Sequence, residues 1–254
     1  MDPVTTSLTT ASKFVKWPDV FLSAKKLYVK KFVKPKKVLV YGESGSGKTQ
    51  FLQTILGNGK IVGSRTYDVN NERLVLEDGH TIEFIDTPGH QSLMPARKPT
   101  ISMLAKGEID GIINIVNYGY QSTEKTIVDT VFKVGTIEVK EEYLRENRKR
   151  ELEQIKEWME FVNAKGKVRW ILTVVNKADI WYRKFDEVMD YYQRGAYFQQ
   201  ITELHHVADL PIFPFCSIIT PFCGRPMILA MSEKEKREMH DALYEELVKR
   251  TFPI

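Results

Sequence analysis

Cysteine is nearly missing from this 254-residue chain: Cys216 and Cys223 are the only two. Two thiols cannot frame a disulfide-stapled secreted domain, and both read as reduced. No cysteine pair stands near His205 and His206, so the spacing of a zinc site is missing as well. No apolar run approaches the roughly 20 residues of a membrane-spanning helix. The start, Met1 to Thr10, lacks the basic-then-apolar layout of a secretory signal. Asp2 stands where myristoylation needs glycine, and no prenylation cysteine lies at the C-terminus. Together these absences predict a chain that works in the cytoplasm.

With 43% hydrophobic and 28% charged residues, the sequence has the balance of a soluble protein large enough for one buried core. The charge is uneven. Residues 1 to 37 hold nine lysines against Asp2 and Asp19, a net +7 against +4 for the whole chain, which leaves the remainder at −3. The basic part therefore reads as an N-terminal arm, residues 1–35, ahead of a domain over 36–254. Pro18 can open a helix reaching about Val33, in which Val20, Phe21, Ala24, Leu27, Tyr28 and Phe32 recur at helical spacing among lysines. Two readings of this arm stand. Its apolar stripe packs on the body of the protein, or residues 13–34 lie on an anionic membrane surface, drawn by lysines and held by aromatic rings. The basic charge stays on the arm, so no nucleic-acid partner is expected.

The body alternates strand and helix patterns. Lys36 to Tyr41 reads as a buried strand and Phe51 to Leu56 as apolar-periodic helix. Between them stands Gly42-Glu43-Ser44-Gly45-Ser46-Gly47-Lys48-Thr49. That G-x-x-x-x-G-K-T spacing between a strand and a helix is a P-loop, whose glycines let backbone N–H groups turn onto phosphates. The helix N-terminus adds partial positive charge. Glu43, Ser44, Gly45, Ser46, Gly47, Lys48, Thr49 and Gln50 are thus candidate nucleotide contacts, Lys48 for the β- and γ-phosphates and Thr49 for Mg2+. Glu72 to Glu77 and Thr81 to Ile85 alternate around Asp78-Gly79 as a hairpin. The second of these runs into Asp86-Thr87-Pro88-Gly89-His90, where Asp86 can hold a magnesium-bound water and Gly89 lets a backbone N–H approach a γ-phosphate.

A helix interrupted near Pro99 is expected over Gln91 to Ala105, then a buried strand over Gly111 to Val116. From Thr123 the pattern turns helical, with a charged span from Val139 to Val162 striped by Leu144, Leu152, Ile155, Trp158 and Met159. Val168 to Val175 reads as another strand, ending in Asn176-Lys177-Ala178-Asp179. An aspartate offers two acceptors to the adjacent N1–H and N2–H2 donors of guanine, a pair adenine does not present. Pro211 to Cys216 is the last strand, and Ser232 with Glu235 forms a capping box for a helix through Lys249, with Met239, Leu243 and Leu247 inward.

In this order, G-x-x-x-x-G-K-T, D-T-P-G-H and N-K-A-D resemble the motifs of the P-loop GTPase superfamily, in its Ras-like, Arf-like and translational branches. The resemblance implies a three-layer α/β fold, a mostly parallel sheet with one antiparallel hairpin, and GTP or GDP with Mg2+ as ligands. By resemblance His90 stands where the family positions attacking water, and Thr66, 17 residues after Thr49, stands as the switch threonine over magnesium and γ-phosphate, ahead of Ser64 and Thr81. Asn176 takes the base's other edge, the Lys177 stem covers the ring, and the Ser217 backbone with Ile218 reaches guanine O6. Ile218 replaces the usual alanine, while Ser44 and His90 depart from Ras-like residues. The chain is longer than that core needs, with insertions around 134–165 and 183–204. The implied function is a regulatory switch that hydrolyses GTP slowly and is read by an effector or activating protein, Arg65 being a candidate arginine in cis. A GTP-binding scaffold without hydrolysis and a P-loop ATPase are the alternatives.

Overall fold

The computed structural model describes residues 26, 28, 29, 32–57, 70–88, 94–123, 126–165, 168–203, 210–218, 221–225 and 231–253. Six strands form one sheet: β1 (Lys36–Tyr41), β2 (Asn70–Val75), β3 (Thr81–Asp86), β4 (Gly111–Val116), β5 (Trp170–Val175) and β6 (Ile212–Pro214), in the order β2-β3-β1-β4-β5-β6. From β3 to β6 all pairings are parallel, with Val40 beside Asp86 and Tyr41 beside Asn114. The β2–β3 hairpin supplies the antiparallel pair.

The helices are α1 (Lys48–Ile55), α2 (Met94–Ala105), α3 (Val128–Val131), α4 (Glu141–Lys165), α5 (Ala178–Trp181), α6 (Phe185–Gln193), α7 (Ala196–Thr202) and α8 (Glu233–Thr251), with a 3-10 turn at Tyr182–Lys184. Every residue of β4 and β5 is buried, as strands covered on both faces require. The period of two in β1 sorts its side chains. Leu39 and Tyr41 enter a core with Trp158 of α4 and Tyr192 and Tyr197 of α6 and α7. Val38 and Val40 enter a second, with Phe51 of α1 and Leu243 and Leu247 of α8. Helix, sheet and helix make three layers, and the loops at the carboxyl ends of β1, β3, β4 and β5 share one edge.

Met1–Pro35 with Val75–Thr81 form one compact unit, and Lys36–Leu74 with Ile82–Ile254 form another. In this smaller unit residues 26, 28, 29 and 32 are helical. Gly79, in the turn at φ +93°, lies so close to the arm that a Cβ would stand 2.6 Å from the Lys26 carbonyl oxygen. Tyr28 and Phe32 are 62% and 63% exposed, their rings 4.9 Å apart.

Three expectations need correction. Pro99 lies inside α2, one turn from its start, where its missing N–H removes a single i→i−4 bond without ending the helix. The chain is not helical from Thr123: Thr123 and Thr126 close a turn on each other, the Thr123 N–H donating to Thr126 Oγ1 at 2.8 Å and the Thr126 N–H to the Thr123 carbonyl at 2.9 Å. Such side-chain bonds compete with helix, and among the described residues between Thr123 and α4 only Val128–Val131 is helical. The last strand is shorter than expected, Ile212–Pro214. The capping box holds, with Ser232 and Glu235 exchanging both bonds. No helix among the described residues is long and apolar enough to cross a membrane.

Candidate functional site

The loop between β1 and α1 is closed by groups from other strands. Gly47, the N-cap of α1, sits at φ +92°, and a Cβ there would meet Asn176 Nδ2 at 2.7 Å. Gly45, at φ +80°, would push a Cβ to 2.4 Å from the Ser122 carbonyl oxygen. Left-handed backbone and absence of room together require glycine at both positions. Lys48 is buried and donates to the carbonyls of Gly42 at 2.9 Å and Glu43 at 3.2 Å. Desolvation lowers its pKa, opposed by the carboxylates of Asp86 and Glu43. Glu43 itself is raised, again mainly by desolvation.

Asp86, at the carboxyl end of β3, is 1% exposed and accepts from Thr49 Oγ1 at 3.2 Å. One anionic and one neutral hard oxygen in contact fit a magnesium ion that keeps waters and takes phosphate oxygens for the rest of its shell. Among the described residues no cluster of three or more His, Cys, Asp or Glu is built as a metal cage.

The loop after β5 reaches the same place. Asn176 Nδ2 donates to the Ser46 carbonyl at 3.1 Å, while its Oδ1 accepts from the Ser217 N–H at 3.2 Å and the Ser217 hydroxyl at 2.9 Å. Lys177 holds a left-handed backbone, φ 61°, as N-cap of α5. A non-glycine residue there carries strain of about 1 kcal/mol or more. Its side chain lies against the phosphate loop, Nζ donating to the carbonyls of Gly45 at 2.9 Å and Tyr120 at 2.6 Å, with the Phe222 ring at 5.4 Å. Desolvation pushes it down to about 8. Asp179, in the first turn of α5 and 2% exposed, is pushed up to about 6 by burial. Its Oδ1 accepts from Cys216 Sγ at 3.5 Å, and burial drives that thiol up to about 12, so Cys216 is inert packing at this end of the site.

The structure thus brings together Gly45, Ser46, Gly47, Lys48, Thr49, Asp86, Asn176, Lys177, Asp179 and Ser217. Gln50 lies in the first turn of α1, and Ile218 follows Ser217 half-buried. Ser44 and Glu43 line a cleft of about 360 Å3 facing Thr126, Tyr143 and Arg150. Thr66, Arg65, Gly89 and His90 lie outside the described residues.

Sequence reasoning did not find the loop after β4, residues 117–121. Tyr120 gives its carbonyl to Lys177, and Asn117 Nδ2 and the Ser122 N–H point at the Gly45 carbonyl, both at 3.5 Å. Backbone carbonyls leave no signature in a sequence. Beneath this loop lies a buried carboxylate, Glu151 of α4.

A family model described as 50S ribosome-binding GTPase matches residues 37–177, more than half of the chain. Among solved structures, that of the mammalian SRP receptor aligns with a TM-score of 0.51 at 12% identity, covering 83% of this chain and 99% of the other. At that identity the likeness concerns the fold alone. A GTP-binding protein from the hyperthermophilic archaeon Sulfolobus solfataricus, in complex with GDP, aligns at 11% identity with a TM-score of 0.42, over 92% of this chain and 56% of the other. No curated protein matches.

Proposed function

The chain belongs to this GTPase family, and from that premise we propose that it binds GTP and GDP with Mg2+, hydrolyses GTP slowly, and acts as a switch read by a partner. The observation that carries the reading is the closure of the phosphate loop by the base loop: Asn176 and Lys177 both bond carbonyls of residues 45 and 46. A ligand that spans the two loops has a phosphate tail at one end and a purine at the other.

In this reading the N–H groups before α1 and Lys48 take the phosphates, and Thr49 and Asp86 hold the magnesium ion. Asp179 accepts from guanine N1–H and N2–H2. The metal, when bound, neutralises charge on the phosphate oxygens. Lys48 already sits with its ammonium on two carbonyls, ready to exchange them for phosphate oxygens, and that exchange restores the charge that desolvation disfavours. Thr66 and His90 are proposed for the magnesium lid and for orienting water, by their places in the family's motifs.

Slow turnover without a partner belongs to this reading, since Lys48 bonds the phosphate loop's own turn while Lys177, which also reaches the Gly45 carbonyl, is spent on bridging. Calorimetry with GDP, GTP and ATP tests the reading. Binding of guanine nucleotides at least about a hundredfold tighter than ATP is expected, since a site built to pair a base edge leaves polar groups unmatched with the wrong base. Equal affinities would return the chain to the ATPase alternative, and tight GTP binding with no phosphate release would make it a scaffold. For the arm, the exposed Tyr28–Phe32 pair beside Lys26 favours an anionic membrane surface as partner. Sedimentation with anionic liposomes, with and without residues 1–35, decides that.

A further inference from the structure

We propose that Glu151 is a positioning residue for nucleotide binding, holding through residues 117–121 the places of Gly45 and of the Lys177 side chain. The inference rests on the nucleotide-site reading and deepens it.

Tyr143, Asn147 and Glu151 recur every four residues and so lie in one line along α4. Each grips the same loop. Tyr143 donates its hydroxyl to the Gln121 carbonyl, and Asn147 Nδ2 donates to the Gly119 carbonyl at 2.9 Å. Glu151 Oε1 collects the N–H of Asn117 at 3.0 Å, the N–H of Gly119 at 3.3 Å and Gln121 Nε2 at 3.1 Å. Its Oε2 accepts from the Tyr192 hydroxyl at 2.7 Å, and that hydroxyl accepts from the Tyr118 N–H at 2.7 Å. The loop sits hard on the helix: a Cβ on Gly119 would lie 2.3 Å from the Leu144 carbonyl oxygen. From there each link to the site is one bond long, Tyr120 to Lys177 and Asn117 and Ser122 to Gly45.

All four groups aimed at Glu151 donate to it, and to a carboxylate each bond is charge-assisted; a protonated acid or an amide keeps an acceptor at Oε1 and can turn its hydrogen to the Tyr192 oxygen, but the bonds are then neutral and about half as strong. The carboxyl is 3% exposed, and burial pushes it up to about 7 against those bonds. The charged and titratable groups facing it are Arg148 on α4, Lys177 after β5, Tyr191 and Tyr192 on α6, and Tyr197 on α7. As pH falls through neutrality the loop therefore exchanges a charged acceptor for a weaker neutral one, and the seat of Gly45 and Lys177 loosens.

The test is the GDP dissociation constant of the full chain and of Glu151→Gln from about pH 5.5 to about pH 8.5. Glu151→Gln is expected to bind about tenfold more weakly at the alkaline end, where one acceptor site has become a donor. The ratio is expected to close to about twofold or less at the acid end, where the natural residue also carries a hydrogen. Titration of Asp179 is common to both proteins and cancels in the ratio. A ratio near one throughout, or constant with pH, overturns the proposal, since a merely structural role does not track one proton. If circular dichroism shows Glu151→Gln unfolded, Tyr192→Phe replaces it: losing a donor to the charged form moves the midpoint of the affinity profile to higher pH, and an unmoved midpoint overturns the proposal. Failure of the natural protein to bind any nucleotide at any pH overturns the site reading itself, and the positioning role with it.

Discussion

The side-chain amide of Asn176 donates to the carbonyl of Ser46, 130 residues earlier in the chain, at 3.1 Å. Its other end holds the backbone and hydroxyl of Ser217. One amide thus ties the phosphate loop, the loop after β5 and the loop after β6 into one body, using both donor and acceptor faces while 1% exposed. Asn176→Ala leaves a buried carbonyl and a buried N–H unmatched, a loss of about 1–3 kcal/mol for each group. The expected outcome is GDP affinity reduced about tenfold or more, and a melting temperature lowered by about 5–20 °C. Calorimetry and thermal unfolding read the two losses separately. Unchanged values in both would mean that the three loops hold their places without it.

Asp179→Asn tests the base. The amide presents a donor where xanthine carries a C2 carbonyl, so preference is expected to move from guanine to xanthine nucleotides by about a hundredfold in the affinity ratio. Competition between GDP and XDP against a fluorescent nucleotide measures it. Retained preference for GDP would remove Asp179 from the base contact.

The phosphate loop was legible because its chemistry is confined to one stretch: glycines, lysine and threonine at fixed spacing between a strand and a helix. Asn176 and Asp179 were legible for the same reason. What Asn176 does to Ser46 was not, since a residue proposed to read a base gives no sign that it also bonds a carbonyl far away. Glu151 was the least legible. Among the charged residues of α4 a buried glutamate looks like a solvated one, and its partners are backbone N–H groups at Asn117 and Gly119 with no residue preference of their own. The four-residue spacing of Tyr143, Asn147 and Glu151 was the one available sign, since a line of polar residues beside an apolar stripe marks a face turned to something polar. The mostly parallel sheet with one hairpin followed from strands alternating with helices; the start of the helical stretch after Thr123 did not, because local turn bonds at Thr123 and Thr126 overrode helical pattern.

Gly45 and Gly57 share a left-handed backbone but differ in surroundings. Gly45 has the Ser122 carbonyl where a Cβ would stand, whereas Gly57 has nothing within 4 Å. Gly57→Ala is expected to cost only the conformational term, about 1–2 kcal/mol. Gly45→Ala adds a clash with backbone and displaces the acceptor of Lys177, so GDP binding is expected to be lost beyond detection. Parallel calorimetry on the two variants checks the contrast.

Thr49 contributes the neutral oxygen beside Asp86. Thr49→Ala is expected to abolish the strengthening of GTP binding by Mg2+, so that adding EDTA leaves its affinity unchanged while weakening that of the natural protein about tenfold or more. An undiminished magnesium effect would place the ion elsewhere.

Two buried carboxyls set opposite pH dependences for stability and binding. Asp179 rises to about 6 from 3.8 and Glu151 to about 7 from 4.5, both mainly by desolvation, and Glu43 moves in the same direction. The folded state keeps protons that the unfolded chain has released, so the stability these groups contribute is fully present below their unfolded values and is lost as pH rises through the folded ones. The nucleotide-free protein is therefore expected to melt at progressively lower temperature from about pH 5.5 to about pH 7.5. Above that range the sign reverses, because Lys177 is lowered to about 8 and Lys48 is lowered too: an unfolded lysine holds a proton that the folded one gives up, and stability gains with pH. GDP affinity runs against the acid limb, since guanine and the loop on α4 both require carboxylates. Thermal unfolding across this range with and without GDP displays the two trends together: a shallow minimum for the free protein, and a stabilisation by GDP that grows with pH. A free-protein melting temperature that climbed steadily from acid to neutral would show that these carboxyls are charged throughout, and would remove the proton from the account of both sites.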